Sequence, residues 1–169
     1  MQIIKYFILL LILISSSVIG KSIAKKYSNR VKELEEMSNA LNIFKSKIIF
    51  TYSPIPEIFE EISTKAKGNV SAIFKKAKGK MREMTAGIAW EQAVEEVQSN
   101  LNEEDKYTIK TLSKLLGQTD VEGQVGQIEI TKKFIEEQIK EAIEQKQKNE
   151  RLYSKLGTTI GLAIVIILA

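Results

Sequence analysis

The chain has 169 residues, which is room for one domain, and its 25 basic and 21 acidic residues leave a net charge of +4. It contains no cysteine and no histidine, which excludes disulfides, thiol catalysis and thiolate metal sites, and removes the commonest general base and zinc ligand. A charge so small and so mixed does not favour nucleic-acid binding, and we predict no cofactor, no metal site and no small-molecule substrate.

The first element is an apolar run from residue 3 to residue 19, in which Lys5 is the only charge. Its length approaches the roughly 20 residues that a helix needs to cross a bilayer, so we predict a transmembrane helix over residues 1–20. The alternative is a cleaved secretory signal, because small residues lie around Ser15 to Gly20. A basic flank, which would hold that side in the cytoplasm, favours the span: Lys21, Lys25, Lys26 and Arg30.

A long amphipathic helix is predicted from about Ser22 to Thr51. Apolar residues recur there every seven positions, with others three places later: Tyr27, Leu34, Leu41 and Ile48, then Met37 and Phe44. This spacing is typical of a seam that packs on another helix. The helix should end at the sequence YSPIP, because Pro54 and Pro56 cannot continue it.

Three shorter helices should follow. One begins near Pro56, and a second, after a break at Gly68 and Asn69, extends from Val70 to Met84. The third lies in GIAWEQAVEEV, where Trp90, Val94, Val97 and Leu101 follow helical spacing. Because of its place in that stripe, we interpret Trp90 as a core residue rather than a binding residue.

Two more helices complete the central segment. Asn102 with Asp105 predicts the start of a helix that extends through Ile109, Leu112 and Leu116 and stops at Gly117. Asp120 is a good N-cap for the last helix, whose apolar face comprises Val121, Val125, Ile128, Ile135, Ile139 and Ala142. VGQIEIT is the nearest approach to a strand pattern, but an all-α helical bundle is the economical interpretation.

The chain returns to an apolar run at residues 156–169, after the polar sequence EQKQKNER, which we interpret as a helical stalk. This run is about 14 residues, short for a bilayer, and we predict a short C-terminal transmembrane helix. Basic residues precede it: Lys146, Lys148, Arg151 and Lys155. Both predicted spans thus carry their basic flank on residues 21–155, which predicts a cytoplasmic central domain with both termini outside.

No catalytic residues are predicted. The acidic pairs Glu60–Glu61, Glu95–Glu96 and Glu136–Glu137 fall on outer helix faces with lysines nearby, whereas carboxylate catalysis needs desolvated, converging acids. The string KAKGKM lacks the other elements of a phosphate-binding loop. Gly157 and Gly161 form a small-xxx-small pattern, which favours close packing of membrane helices.

Several segments together resemble a known family: IIFTYSPIPEIFEEI, AWEQAVEEV, LGQTDVEGQ and QKNERLYSKLGTTIGLAIVIIL. The chain resembles the stage III sporulation protein AB family of endospore-forming bacteria over nearly its whole length, although Pro56 departs from the pattern. The resemblance implies a helical platform subunit, similar to those of type II secretion and type IV pilus machines. It also implies a place in the channel complex that joins mother cell to forespore, in the mother-cell membrane around the forespore.

The partner implied by the resemblance is a sporulation ATPase of the same operon, stage III sporulation protein AA, together with other channel subunits. Geometry alone suggests that such an ATPase would meet the end of the domain far from the stalk. We expect the YSPIP turn and the loops near Gly68 and Gly117 there, with Lys65 and Lys67 as the partner surface. The alternative function, from a different class, is a secreted or outward-facing envelope protein with a cleaved signal and a C-terminal anchor.

Overall fold

The computed structural model describes residues 2–114, 116 and 120–168. The prediction of an all-α fold is confirmed, because the described residues form six α-helices and a 3-10 turn and contain no strand. The helices are α1 (Gln2–Thr51), α2 (Ile55–Lys65), α3 (Gly68–Lys80), α4 (Ala86–Glu96), α5 (Glu103–Lys110) and α6 (Val121–Leu168), and the 3-10 turn is Thr111–Lys114.

The chain divides into two compact units. Unit 1 consists of the chain up to Val31 and from Glu141 onward, and unit 2 is Lys32–Lys140. Helices α1 and α6 contribute to both units, whereas α2 to α5 belong to unit 2. The stretch separately predicted as a span and a long helix is one continuous helix, because a glycine such as Gly20 costs an α-helix only about 1 kcal/mol and no proline interrupts it.

One helix among the described residues, α1, is apolar enough near the N-terminus to cross a membrane by length and composition, with a mean hydropathy of 2.2 in its apolar window. This is the region in which the first span is predicted. The second span, predicted at residues 156–169, lies within the final turns of α6 and stays a prediction; Ala169 is outside the described residues.

The core of unit 2 is an aromatic cluster that joins its first four helices. Phe59 of α2 packs edge-on against Phe44 of α1 and Phe74 of α3, with ring centroids 5.3 and 5.0 Å away. Trp90 of α4 lies 5.4 Å from Phe59 and 4.9 Å from Phe74, is fully buried, and donates from Nε1 to the Ile109 carbonyl oxygen at 2.8 Å. The prediction that Trp90 is a core residue is therefore confirmed.

Most of the predicted helix signals have physical counterparts. Five of the six residues of the predicted α1 seam are buried, with Leu34, Met37, Leu41, Phe44 and Ile48 each at most 4% exposed, whereas Tyr27 is partly exposed. Asn102 forms a complete capping box with Asp105, at 2.7 and 2.9 Å. Asp120 accepts from the Gly123 backbone N–H at 2.9 Å, so the segment that resembled a strand is helical.

Three predicted helix ends are wrong. Helix α3 ends at Lys80 rather than Met84, where a turn forms through the Lys80 carbonyl. Helix α4 ends at Glu96, so Leu101 is buried from the following connection instead of from the helix. Helix α5 ends at Lys110 and tightens into the 3-10 turn, and the predicted stop at Gly117 lies outside the described residues.

Candidate functional site

The acidic pairs Glu60–Glu61 and Glu95–Glu96 lie at the surface and are ion-paired with lysines. Glu60 pairs with Lys78 at 2.9 Å, and Glu96 lies between Lys76 and Lys80 at 2.8 and 2.9 Å. Hydrogen bonds from these two lysines lower the pKa of Glu96 below its ordinary value. No cluster of three or more metal-ligating side chains occurs within the described part of the chain. These contacts fit the interpretation of the pairs as ion-paired helix faces.

Lys65 and Lys67 lie where α2 gives way to α3. The Lys65 ammonium pairs with Glu61 one turn earlier at 2.7 Å and is 56% exposed. Lys67 is exposed, and its backbone N–H donates to the Glu36 carboxylate of α1 at 2.9 Å. Whether these lysines contact a partner stays a prediction, but their place in unit 2 is defined.

Lys65 and Lys67 do not lie at the same end of unit 2 as the YSPIP turn, as the sequence analysis expected. Helix α2 begins at Ile55, within the YSPIP sequence, and ends at Lys65, three residues before Gly68; its 11 residues span about 16 Å. Glu33 of α1 also accepts hydrogen bonds from Asn69 and Asn100, which fixes the Gly68 connection near Lys32, where α1 enters unit 2. The turn and the two lysines therefore lie at opposite ends of α2. Residue spacing along the chain could not predict this, because it does not show which end of one helix packs against which end of another.

Gly157 and Gly161 face α1 within unit 1. A Cβ added to Gly157 would lie 2.8 Å from the Gly20 Cα and 2.8 Å from the Ser16 carbonyl oxygen, so the two backbones touch. The Ser16 hydroxyl donates to the Gly157 carbonyl oxygen at 2.6 Å. A Cβ added to Gly161 would lie 3.0 Å from the Ser16 Cβ, its nearest neighbour. Sequence reasoning identified both α6 glycines but missed Gly20, whose partner is far away in the chain.

Unit 1 also contains polar contacts beyond these glycines. Tyr27 and Tyr153 stack with ring centroids 5.9 Å apart, and Arg30 is buried and donates to Gln145 at 2.8 Å. An apolar groove of about 660 Å³ lies between the two helices, lined mainly by isoleucine and leucine. Pairing of membrane spans through Gly157 and Gly161 stays a prediction.

The opposite end of unit 2 from Lys32 carries an exposed aromatic surface that the sequence analysis missed. We name residues 50–57 the distal tip; it comprises the last turn of α1, the YSPIP turn and the start of α2. Phe50 is 79% exposed and Tyr52 75% exposed. Tyr52 has a φ of +50°, the only positive φ of a non-glycine residue among those described. The sequence signal for this surface was that Phe50 lies outside the heptad seam of α1 and just before a proline turn.

Comparison with known proteins complements this geometry. A model of the family described as stage III sporulation protein AB matches residues 5–169. The chain belongs to the stage III sporulation protein AB family. A curated relative, stage III sporulation protein AB of Bacillus subtilis strain 168, is 24% identical over 161 residues, covering 93% of this chain and 94% of the relative.

A solved structure of a stage III sporulation protein AB is also similar, with a TM-score of 0.66. The two chains are 22% identical, and the similarity covers 72% of this chain and 98% of the other. At this identity the likeness shows the helical fold alone. The family membership identified from the sequence segments is thus confirmed, and it makes this a sporulation protein.

Proposed function

We propose that this chain is a non-enzymatic platform subunit of the membrane complex that joins mother cell to forespore during sporulation. The observation that carries the proposal is the family match along residues 5–169. In this proposal unit 2 is cytoplasmic and couples an ATPase, stage III sporulation protein AA, to channel subunits in the mother-cell membrane around the forespore.

The organisation of the chain supports this role. Unit 1 pairs an apolar stretch of α1 with the end of α6 through backbone contact at Gly20 and Gly157, as two membrane spans of one chain would require. Basic residues flank both apolar runs on the side of unit 2, which favours a cytoplasmic unit 2. Unit 2 supplies a rigid helical body with an aromatic core, suited to holding partners.

Surface chemistry supports a role without catalysis. The carboxylates of Glu60, Glu95 and Glu96 are ion-paired with lysines at the surface, which keeps them charged rather than tuned for proton transfer. Energy for transport would then come from the partner ATPase.

A topology measurement tests the proposal first. The chain has no cysteine, so single cysteines at Lys67 and after Ala169 can be probed with a membrane-impermeant maleimide, with the unaltered chain as background. When the chain is expressed in vegetative cells, whose membrane faces the medium, we expect Lys67→Cys to react only after lysis, because the exposed residue would face the cytoplasm, and the added C-terminal cysteine to react in intact cells. Labelling of Lys67→Cys in intact cells would refute the cytoplasmic placement and support the envelope protein with a cleaved signal.

A further inference from the structure

We propose that the distal tip is the surface of unit 2 that docks the ATPase, through a basic face of that partner with an apolar pocket for Phe50 and Tyr52. This inference rests on the proposed function and adds to it the site of contact and the chemistry that recognises it. It replaces the surface at Lys65 and Lys67, which lies at the other end of α2.

Exposure of the two aromatic rings is the first reason. Phe50 and Tyr52, at 79% and 75%, are more exposed than any other large apolar side chain described in unit 2. Aromatic residues of this kind are the commonest anchors of protein interfaces, because one ring removes a large apolar area from water at a small entropic cost. Two such rings separated by one residue form a compact anchor.

The backbone of the tip is held in an unfavourable conformation. Tyr52 has φ +50°, in the left-handed region that a bulky residue rarely adopts, and Thr51 and Ser53 are joined by a 2.8 Å hydrogen bond between their hydroxyls. Pro54 and Pro56 then restrict the chain that follows. The turn therefore restricts the backbone at Tyr52, and such strain is concentrated at functional positions.

The charge around the tip identifies the partner. Residues 48–64 contain no lysine or arginine, and the exposed Glu57 opens α2. The Lys45–Glu129 ion pair sets α6 beside α1, which brings residues 120–131, with Asp120 and Glu122 and no basic residue, to the same end of unit 2. An acidic surface that carries two aromatic rings is complementary to arginine and lysine side chains, which also stack on such rings.

The charge of the tip favours a protein partner over lipid. Within unit 2, the tip is separated from Lys32 by the last 20 residues of α1, about 30 Å. Two lysines that reach the neighbouring part of α2 are ion-paired, Lys78 with Glu60 and Lys47 with Glu61. Residues 50–57 themselves carry no lysine or arginine for anionic headgroups, and a basic protein face is the complementary occupant.

The test measures binding of the purified ATPase to the full-length chain in detergent micelles, at low and high salt. The double variant Phe50→Ser with Tyr52→Gly should weaken binding by about 10- to 30-fold, the range of interface anchor residues. Tyr52→Gly relieves the positive φ, so the variant should unfold at a temperature no lower than Phe50→Ser alone. Glu57→Gln with Glu122→Gln should weaken binding mainly at low salt.

Two controls separate the possible results. Tyr107→Ser removes an aromatic ring that is 67% exposed elsewhere in unit 2, and Lys65→Glu with Lys67→Glu alters the other end of α2; both should leave binding unchanged. Normal binding by the tip variant, or a loss caused only by the lysine variant, would overturn the tip while leaving the proposed function intact. No binding by the unaltered chain would overturn both. Loss of self-association instead of ATPase binding would reassign the tip to a second copy.

Discussion

Replacement of Trp90 by phenylalanine should destabilise unit 2 by about 2–4 kcal/mol. The Trp90 Nε1 donates to the Ile109 carbonyl oxygen at 2.8 Å, and the side chain is fully buried. Phenylalanine cannot donate, and a buried acceptor left without its partner costs about 1–3 kcal/mol. The smaller ring also leaves a void against Phe59 and Phe74, which adds about 1 kcal/mol.

The assay is unfolding of the full-length chain in detergent micelles, followed by far-UV circular dichroism because the substitution removes the only tryptophan. The melting temperature should fall by about 10 °C or more, since 1 kcal/mol corresponds to roughly 4–8 °C for a domain of about this size. Ile88→Ala, on the same helix but 51% exposed, is the matched control and should change stability by at most about 0.5 kcal/mol. If Trp90→Phe proved no more harmful than this control, the argument from burial and hydrogen bonding would be refuted.

Three other perturbations have defined outcomes. Asn102→Ala removes the capping box of α5 and should cost about 1 kcal/mol in urea unfolding; an unchanged midpoint would show that the cap is not stabilising. Gly157→Leu should force α1 and α6 apart in unit 1. The loss would be measured as reduced cross-linking between cysteines that replace the stacked Tyr27 and Tyr153. Gly79→Ala is the control and should leave the cross-link intact, because a Cβ added to Gly79 has no other atom within 4 Å. Because lysine hydrogen bonds lower the pKa of carboxyls such as Glu96 in the folded state, their stabilisation is complete above about pH 4.5 and lost as pH falls through the lowered pKa. The melting temperature should therefore fall in acid, less steeply at high salt, and a flat profile at low salt would contradict the ion pairs.

Local signals in the sequence determined most of the helices. The seven-residue spacing from Leu34 to Ile48 defines one side of α1 whatever it packs against, and the proline turn ends that helix because proline offers no backbone donor. The Asn102 cap needs only Asp105, three residues away. The burial of Trp90 follows from a stripe within a single helix. Each of these sequence signals lies within about two turns of chain, so spacing alone reveals it.

Only the tertiary structure decided the candidate sites. Leu101 fits the spacing of α4 but is buried from a connection, because Glu33 of α1 holds the neighbouring Asn100 from 67 residues away. Ser16 and Gly157 meet across 141 residues, a separation at which periodicity carries no information. The distal tip could likewise be identified only from the tertiary structure. Phe50 lies outside the heptad seam, but spacing does not show whether such a side chain is covered, because that depends on which helices pack beside it.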